Sequence, residues 1–199
     1  MIILGLTGSI AMGKSATANI FSSYGVPVFD ADLCVHKLMG FNGRLVPLIA
    51  KEFPSTLEKI KNYRFINRAK LGNIVFNNKK MKRNLENIIH PQIGRERKKW
   101  TEQAIRRREK IICYDIPLLF ETKGDKAVDE VIVVSAPYFI QRRRALRRKN
   151  MDQKKLNNIL KTQMPDKDKR KRADFVVNTG NGHRFSRNQV KNIIKKLSQ

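Results

Sequence analysis

Cysteine is nearly missing, with only Cys34 and Cys113 in a chain of 199 residues. Two thiols cannot supply a disulfide framework or a cysteine-rich zinc site, and their scarcity leans toward a reducing, cytoplasmic setting. Histidine is as sparse: His36, His90 and His183 lie far apart without ligand-like spacing, which argues against a histidine-built metal centre. No apolar run approaches the ~20 residues that a membrane-spanning helix requires. Met1 to Thr7 is apolar but short, has no basic stretch before it and runs straight into Gly8. It is therefore expected to be a first strand rather than a leader or a membrane span. Trp100 is the only tryptophan and reads as a core or interface residue rather than a nucleobase platform. Acidic residues are also short: 17 Asp plus Glu face 42 Lys plus Arg, a formal charge of +25.

That surplus raises the encounter rate with any polyanion without choosing among nucleic acid, anionic lipid and phosphorylated metabolites. The basic residues cluster at 95–99, 106–110, 142–149 and 167–172, and each cluster reads equally well as a solvated helical face. What is present beyond charge is a chain 41% hydrophobic, long enough to bury a core without metal or disulfide support. Short apolar, β-branched segments occur at Ile2–Leu6, Val26–Phe29, Ile111–Tyr114, Val131–Val134 and Phe175–Val177. None alternates cleanly, the pattern of strands buried on both faces of a parallel sheet. Lys14 to Ser23 has helical length and stops before Gly25. Between Asp32 and Lys110 no further strand is expected, and apolar residues at three- and four-residue spacing make the interval mostly helical. Val190, Ile193, Ile194 and Leu197 form one face of a closing helix over Gln189–Leu197. No linker or repeat divides the chain, so a single α/β core with insertions is expected.

The most specific local signal is Gly8-Ser9-Ile10-Ala11-Met12-Gly13-Lys14-Ser15, a glycine, four variable residues and then Gly-Lys-Ser, between an apolar strand and a helix. Glycines at both ends let the backbone approach phosphate closely, and successive N–H groups of the loop are expected to face inward as an anion nest. The helix start adds unpaired donors and the positive end of its dipole. Lys14 is placed for the β- and γ-phosphates, and Ser15 for Mg²⁺. The three close glycines of a dinucleotide fold are missing.

A phosphate loop does not separate a hydrolytic switch from a kinase. Phe29-Asp30-Ala31-Asp32 places two carboxylates at the end of a core strand, where ligands bind in open sheets. Such an acid could orient or deprotonate an acceptor hydroxyl, or reach Mg²⁺ through water. Asp30 reads equally as an N-cap, and Asp32 is the better catalytic candidate if a helix begins just after it. Asp115 closes Ile111–Tyr114 and could sit near the metal, pair with a basic ligand-binding group, or cap the strand. Arg144 and Arg148 are four residues apart and on one helix would share a face. His90-Pro91 fits a helix boundary, a packing role or substrate positioning.

Taken in order, these segments resemble the dephospho-coenzyme A kinase family over nearly the whole chain. The resemblance rests on Gly5-Leu6-Thr7-Gly8 with the phosphate loop, Phe29-Asp30-Ala31-Asp32, Arg68-Ala69-Lys70-Leu71, Val75-Phe76, Leu85-Glu86 and Ile89-His90-Pro91. It continues through Asp115-Ile116-Pro117-Leu118-Leu119-Phe120-Glu121, Gln141, Arg144, Arg148, Gln163 and Ala173-Asp174-Phe175-Val176-Val177 to Thr179-Gly180. It implies a P-loop NTPase fold like that of nucleoside monophosphate kinases: a five-stranded parallel sheet with a helical insertion and a lid. The nucleotide-binding core would be 1–31, 111–136 and 173–199, the acceptor region 32–110 and the lid 137–172. The implied reaction moves the γ-phosphoryl of ATP to the ribose 3′-hydroxyl of dephospho-coenzyme A.

Carried onto this chain, the resemblance puts the nucleotide phosphates on Gly8, Ser9, Ile10, Ala11, Met12, Gly13, Lys14, Ser15 and Ala16, with Arg148. Asp32, Lys14 and Arg144 would be catalytic. Asp32, Arg68, His90 and Asp115 would meet the acceptor, and Mg²⁺ would sit on Ser15 with Asp32 or Asp115 acting through water. No specific nucleic acid and no membrane partner is expected. The chain departs from the family pattern at Ser9 and Ala11, where glycines are common, at Asn67, where a carboxylate is common, and at Thr179, where many members carry Asn. Two other readings stay open: a kinase of a different small-molecule hydroxyl, and an ATPase stimulated by nucleic acid.

Overall fold

The computed structural model describes residues 1–76 and 78–198, the side chain of Phe76 excepted. In chain order the elements are β1 (Ile2–Thr7), α1 (Lys14–Ser23), β2 (Val28–Asp30), α2 (Ala31–Met39), α3 (Val46–Glu52), β3 (Leu57–Ile60) and β4 (Tyr63–Ile66). Then come α4 (Arg68–Phe76), α5 (Lys79–Arg106), β5 (Ile111–Asp115), β6 (Glu130–Ser135), α6 (Tyr138–Leu146), α7 (Gln153–Thr162), α8 (Asp166–Lys171), β7 (Phe175–Asn178) and α9 (His183–Leu197). They form two compact units, one of Met1–Phe29 with the chain from Ala104 onward, the other of Asp30–Gln103.

In the first unit the five apolar segments form one parallel sheet in the order β2-β5-β1-β6-β7. β1 lies at the centre; the chain runs from it to β2 on one side and crosses from β5 to β6 on the other, which makes the carboxyl end of β1 a topological switch point. The core joins Leu4, Leu6, Cys113, Ile132 and Val134 of the sheet to Phe21 of α1 and Val190 of α9. Gly25 takes the left-handed conformation (φ 79°) that ends α1. Burial pushes the Cys113 thiol upward from its ordinary pKa, so it is a packed apolar group rather than a nucleophile. Among the described residues no helix is long and apolar enough to cross a membrane.

The second unit packs Leu45, Ile49, Phe53 and Leu71 with Leu85, Ile88 and Ile89 of α5. It corrects the expectation of no further strand: β3 and β4 pair antiparallel, with Leu57 opposite Ile66 and Ile60 opposite Tyr63. Both strands are only four residues long and largely exposed, so they carry neither a continuous apolar run nor enough alternation to stand out. The boundary reading of His90-Pro91 is also overturned, because α5 runs through Pro91. An interior proline costs about 3 kcal/mol, and the apolar contacts of Leu85, Ile88 and Ile89 hold the helix across it. The closing helix begins at His183, six residues before the expected start at Gln189, and the added turns give no sequence signal because they are mostly polar and exposed.

Candidate active site

The phosphate loop leaves the carboxyl end of β1 and is pressed against its neighbours. A Cβ on Gly8 would lie 2.7 Å from the Val134 carbonyl oxygen, too close for any other residue. Gly13 is the N-cap of α1 with φ 95°, in the left-handed region. Ala11, where a glycine is usual in the pattern, keeps φ 61° and is buried. The loop geometry survives there at a strain of roughly 1 kcal/mol.

Polar side chains from distant elements grip the loop backbone. Gln141 Nε2 of α6 donates to Ile10 O at 2.9 Å, and Ile10 N–H donates to Gln163 Oε1 at 3.0 Å. Thr179, just past β7, donates its hydroxyl to Met12 O at 2.6 Å, and Met12 N–H donates to Ser9 O at 3.2 Å. Of the successive loop N–H groups expected to face inward, those of Ile10 and Met12 are spent within the protein. The N–H groups of Ala11, Gly13, Lys14, Ser15 and Ala16 have no hydrogen-bond partner among the described residues. They make an anion nest continuous with the helix start.

The neighbouring strand adds an acid. Asp115 ends β5 in register with Leu6 of β1, and its carboxylate, in a residue only 2% exposed, pairs with the Lys14 ammonium. Of the alternatives open for Asp115, pairing with a basic ligand-binding group is the one observed. Ser15 is exposed, and its hydroxyl has no partner among the described residues. One hydroxyl and one nearby carboxylate are a poor cage for a metal alone, and no three-residue metal cluster occurs among the described residues. They suit Mg²⁺, which keeps waters and phosphate oxygens as its other ligands.

A profile of the family described as Dephospho-CoA kinase matches residues 2–184. The chain belongs to the dephospho-CoA kinase family. A Bartonella henselae relative named Dephospho-CoA kinase is 47% identical over 197 residues, 99% of this chain and 98% of that protein. A solved dephospho-CoA kinase from Campylobacter jejuni superposes with a TM-score of 0.71 at 30% identity, covering 98% of this chain and 96% of that one. A Thermus thermophilus crystal structure reaches a TM-score of 0.83 at 27% identity, covering 98% and 97%.

Within this dephospho-CoA kinase fold the remaining candidates fall into groups. Arg144 of α6 grips Thr179, through Nη1 to Oγ1 at 2.9 Å and Nη2 to the carbonyl at 2.8 Å. Arg148 does not share its helical face, a correction: α6 stops at Leu146, Arg147 is its C-cap, and Arg148 is exposed in the turn beyond.

In the other unit Asp30 caps α2 by accepting the Leu33 N–H at 2.8 Å. The helix thus begins at Ala31, before Asp32 rather than just after it. Asp32 sits exposed in the first turn, where its charge complements the helix dipole. It has no partner among the described residues. Arg68 opens α4 and lines a cavity of about 440 Å³ with His36, Met39, Phe41, Phe65 and Asn67. Asn67 caps α4 by accepting the Ala69 and Lys70 N–H groups, and donates to Glu58 at 2.6 Å. That amide, followed by the contact with Lys70, holds the Glu58 carboxyl below its ordinary pKa. His90 is exposed on α5 and does not line this cavity.

Sequence reasoning passed over the side chains that hold the loop. Gln141 and Gln163 stood out only through family resemblance, and Thr179 only there and as a departure from the family pattern. The available signal was a polar residue just past an apolar strand end, which recurs at Asp115 and Thr179.

Proposed function

We infer that this chain transfers the γ-phosphoryl of ATP to the ribose 3′-hydroxyl of dephospho-coenzyme A, giving coenzyme A and ADP. The observation that carries the reading is the full-length family match, joined to a phosphate loop whose lysine rests on a buried strand-end acid. The N–H groups of Ala11, Gly13, Lys14, Ser15 and Ala16 and the Lys14 ammonium bind the triphosphate and stabilise charge that spreads over the transferred group. Asp115 keeps the ammonium aimed along the loop until the nucleotide shares it. Mg²⁺, held by Ser15 with Asp115 acting through water, would neutralise the β- and γ-oxygens.

We assign the acceptor to the Asp30–Gln103 unit, with Arg68 in its cavity and His90 on α5 as substrate-binding residues. Asp32 takes the proton of the ribose hydroxyl as its oxygen bonds to the γ-phosphorus. The bond from that phosphorus to the bridging oxygen breaks, and ADP leaves with the electron pair. The segment 137–172 acts as the lid, with Arg144 and Arg148 on the nucleotide side. Free Cys34 and buried Cys113 support a reducing, cytoplasmic setting.

The test is an acceptor comparison. Purified protein with ATP and magnesium is given dephospho-coenzyme A, a nucleoside or a nucleoside monophosphate, with ADP release and product mass as readouts. Phosphorylation of dephospho-coenzyme A at the ribose 3′ position is the expected result. A preference for another hydroxyl would replace the acceptor but keep the kinase. ATP hydrolysis that requires DNA or RNA and yields no phosphorylated acceptor would overturn the reading.

A further inference from the structure

Thr179 occupies the place where three parts of the first unit meet. It is 6% exposed. Its N–H donates to Ser135 O at the end of β6 (2.9 Å), its hydroxyl donates to Met12 O (2.6 Å), and its Oγ1 and carbonyl accept both terminal nitrogens of Arg144. A longer contact from the hydroxyl to Ser135 O, at 3.4 Å, competes for the same proton. The Arg144 donor on Oγ1 leaves that proton to be given away, and the short Met12 contact is where it goes.

The consequence for the loop follows from peptide planarity. In a trans peptide the carbonyl and the next residue's N–H point to opposite sides of the chain. A Met12 carbonyl held on Thr179 therefore turns the Gly13 N–H away from Thr179. Thr179 also packs closely on Gly13: a Cβ there would lie 3.0 Å from Thr179 Oγ1 and 3.1 Å from its methyl carbon, so the residue facing the hydroxyl is held to glycine. Without the hydroxyl, nothing fixes the orientation of the Met12–Gly13 peptide. A rotated peptide would present a carbonyl oxygen to phosphate where a donor is needed.

We propose that Thr179 is a positioning residue for phosphoryl transfer, one that aims the Gly13 N–H at the nucleotide phosphates and is itself held in place by Arg144. Arg144 then acts in part through Thr179, as a brace on the phosphate loop. The proposal rests on the kinase reading for its turnover measurements but not for its ATP-binding measurements.

The experiment compares wild type with Thr179→Val, Thr179→Ser, Arg144→Met and the double variant Thr179→Val/Arg144→Met. ATP affinity is read by calorimetry without acceptor, kinetic constants for ATP and dephospho-coenzyme A are measured separately, and folding is followed by thermal unfolding. Thr179→Val keeps the shape and loses both hydrogen-bonding functions, and is expected to weaken ATP binding about tenfold, with the KM for dephospho-coenzyme A within about twofold. Thr179→Ser restores the ATP constants. The double variant loses no more than the worse single one, because the two side chains act in series.

Unchanged ATP affinity in Thr179→Val, equal losses in Thr179→Val and Thr179→Ser, or an acceptor KM that rises with the ATP KM would each overturn the proposal. If Thr179→Val does not fold, Thr179→Ala, which also removes the hydroxyl, decides: weaker ATP binding upholds the proposal and unchanged binding sinks it. Wild-type protein that binds ATP but leaves dephospho-coenzyme A untouched would refute the acceptor alone, and the calorimetric comparison would then decide the role of Thr179.

Discussion

Lys14 has two partners in prospect, the Asp115 carboxylate it touches now and the triphosphate it is placed to receive. Removing it therefore does more than weaken ATP binding. In Lys14→Ala the buried Asp115 carboxylate loses the Lys14 ammonium, and removing one member of such a pair destabilises. Turnover is expected to vanish and the melting temperature to fall together. Lys14→Ala/Asp115→Asn removes the carboxylate charge as well, so thermal unfolding should recover toward wild type while activity stays absent. Recovery of both, or of neither, would contradict the pairing as described. Asp32 is the opposite case, exposed and unpaired among the described residues. Asp32→Asn should leave folding and ATP affinity intact and lower kcat by about 10²–10⁴-fold, the range for a lost general base. Near-normal turnover in that variant would remove Asp32 from the chemistry.

Among the elements, α8 is short, highly charged and still contributes a fully buried side chain. Lys169 is 0% exposed and meets Glu121 Oε1 at 2.9 Å, and Glu121 also accepts the Met164 N–H at 2.8 Å. Partial burial works against the charged carboxyl, but the Lys169 and Met164 contacts outweigh it and hold its pKa below the ordinary value. A carboxyl whose folded pKa is lowered contributes stability that is fully present above its unfolded value, about 4.3, and is lost as pH falls through the folded one. Thermal stability should therefore fall on acidification below about pH 4.3, and Glu121→Gln should flatten that acid limb. Glu121→Gln also strands the Lys169 charge, so near neutral pH it should destabilise more than Lys169→Met, which leaves behind only a partly solvated carboxylate. The reverse order would refute this account.

Such pairings mark the limit of what the chain reveals before folding. The five strands of the first sheet were legible because burial on both faces forces apolar runs, and α1 because a glycine loop and Gly25 bracket it. The β3–β4 hairpin was hidden because its short exposed strands obey no burial pattern. The shared face of Arg144 and Arg148 was conditional on one helix, and helical spacing does not reveal that α6 stops at Leu146. Lys14, Ser15 and Asp115 could be named from local pattern, whereas Gln141, Gln163 and Thr179 act on the phosphate loop across long stretches of sequence, which no local spacing encodes.

The charge of +25 belongs to the molecule as a whole. Among the described residues the ion pairs Arg44–Glu96, Lys70–Glu58, Lys82–Glu86, Arg170–Asp166 and Arg172–Asp125 involve exposed cations, and such pairs leave the net surplus of +25 as it is. Exposed pairs of this kind add little stability, so the surplus is better understood through the field it projects onto anions. ATP and dephospho-coenzyme A are both anionic, and a long-range field would draw both. The Debye length shrinks from about 10 Å at 0.1 M salt to about 3 Å at 1 M. Encounter driven by the whole surface should thus fade with salt, while contacts made inside the phosphate loop persist. Raising potassium chloride from about 0.05 to 0.5 M is expected to lower kcat/KM for both substrates about tenfold, within the range of electrostatic steering, and to leave kcat nearly unchanged. Short DNA added at the low-salt end should compete with both substrates, and its effect should disappear at the high-salt end without any stimulation of ATP hydrolysis. A kcat/KM indifferent to salt would reduce the surplus to a solvated surface, whereas stimulation by DNA that survives high salt would make it a nucleic-acid site.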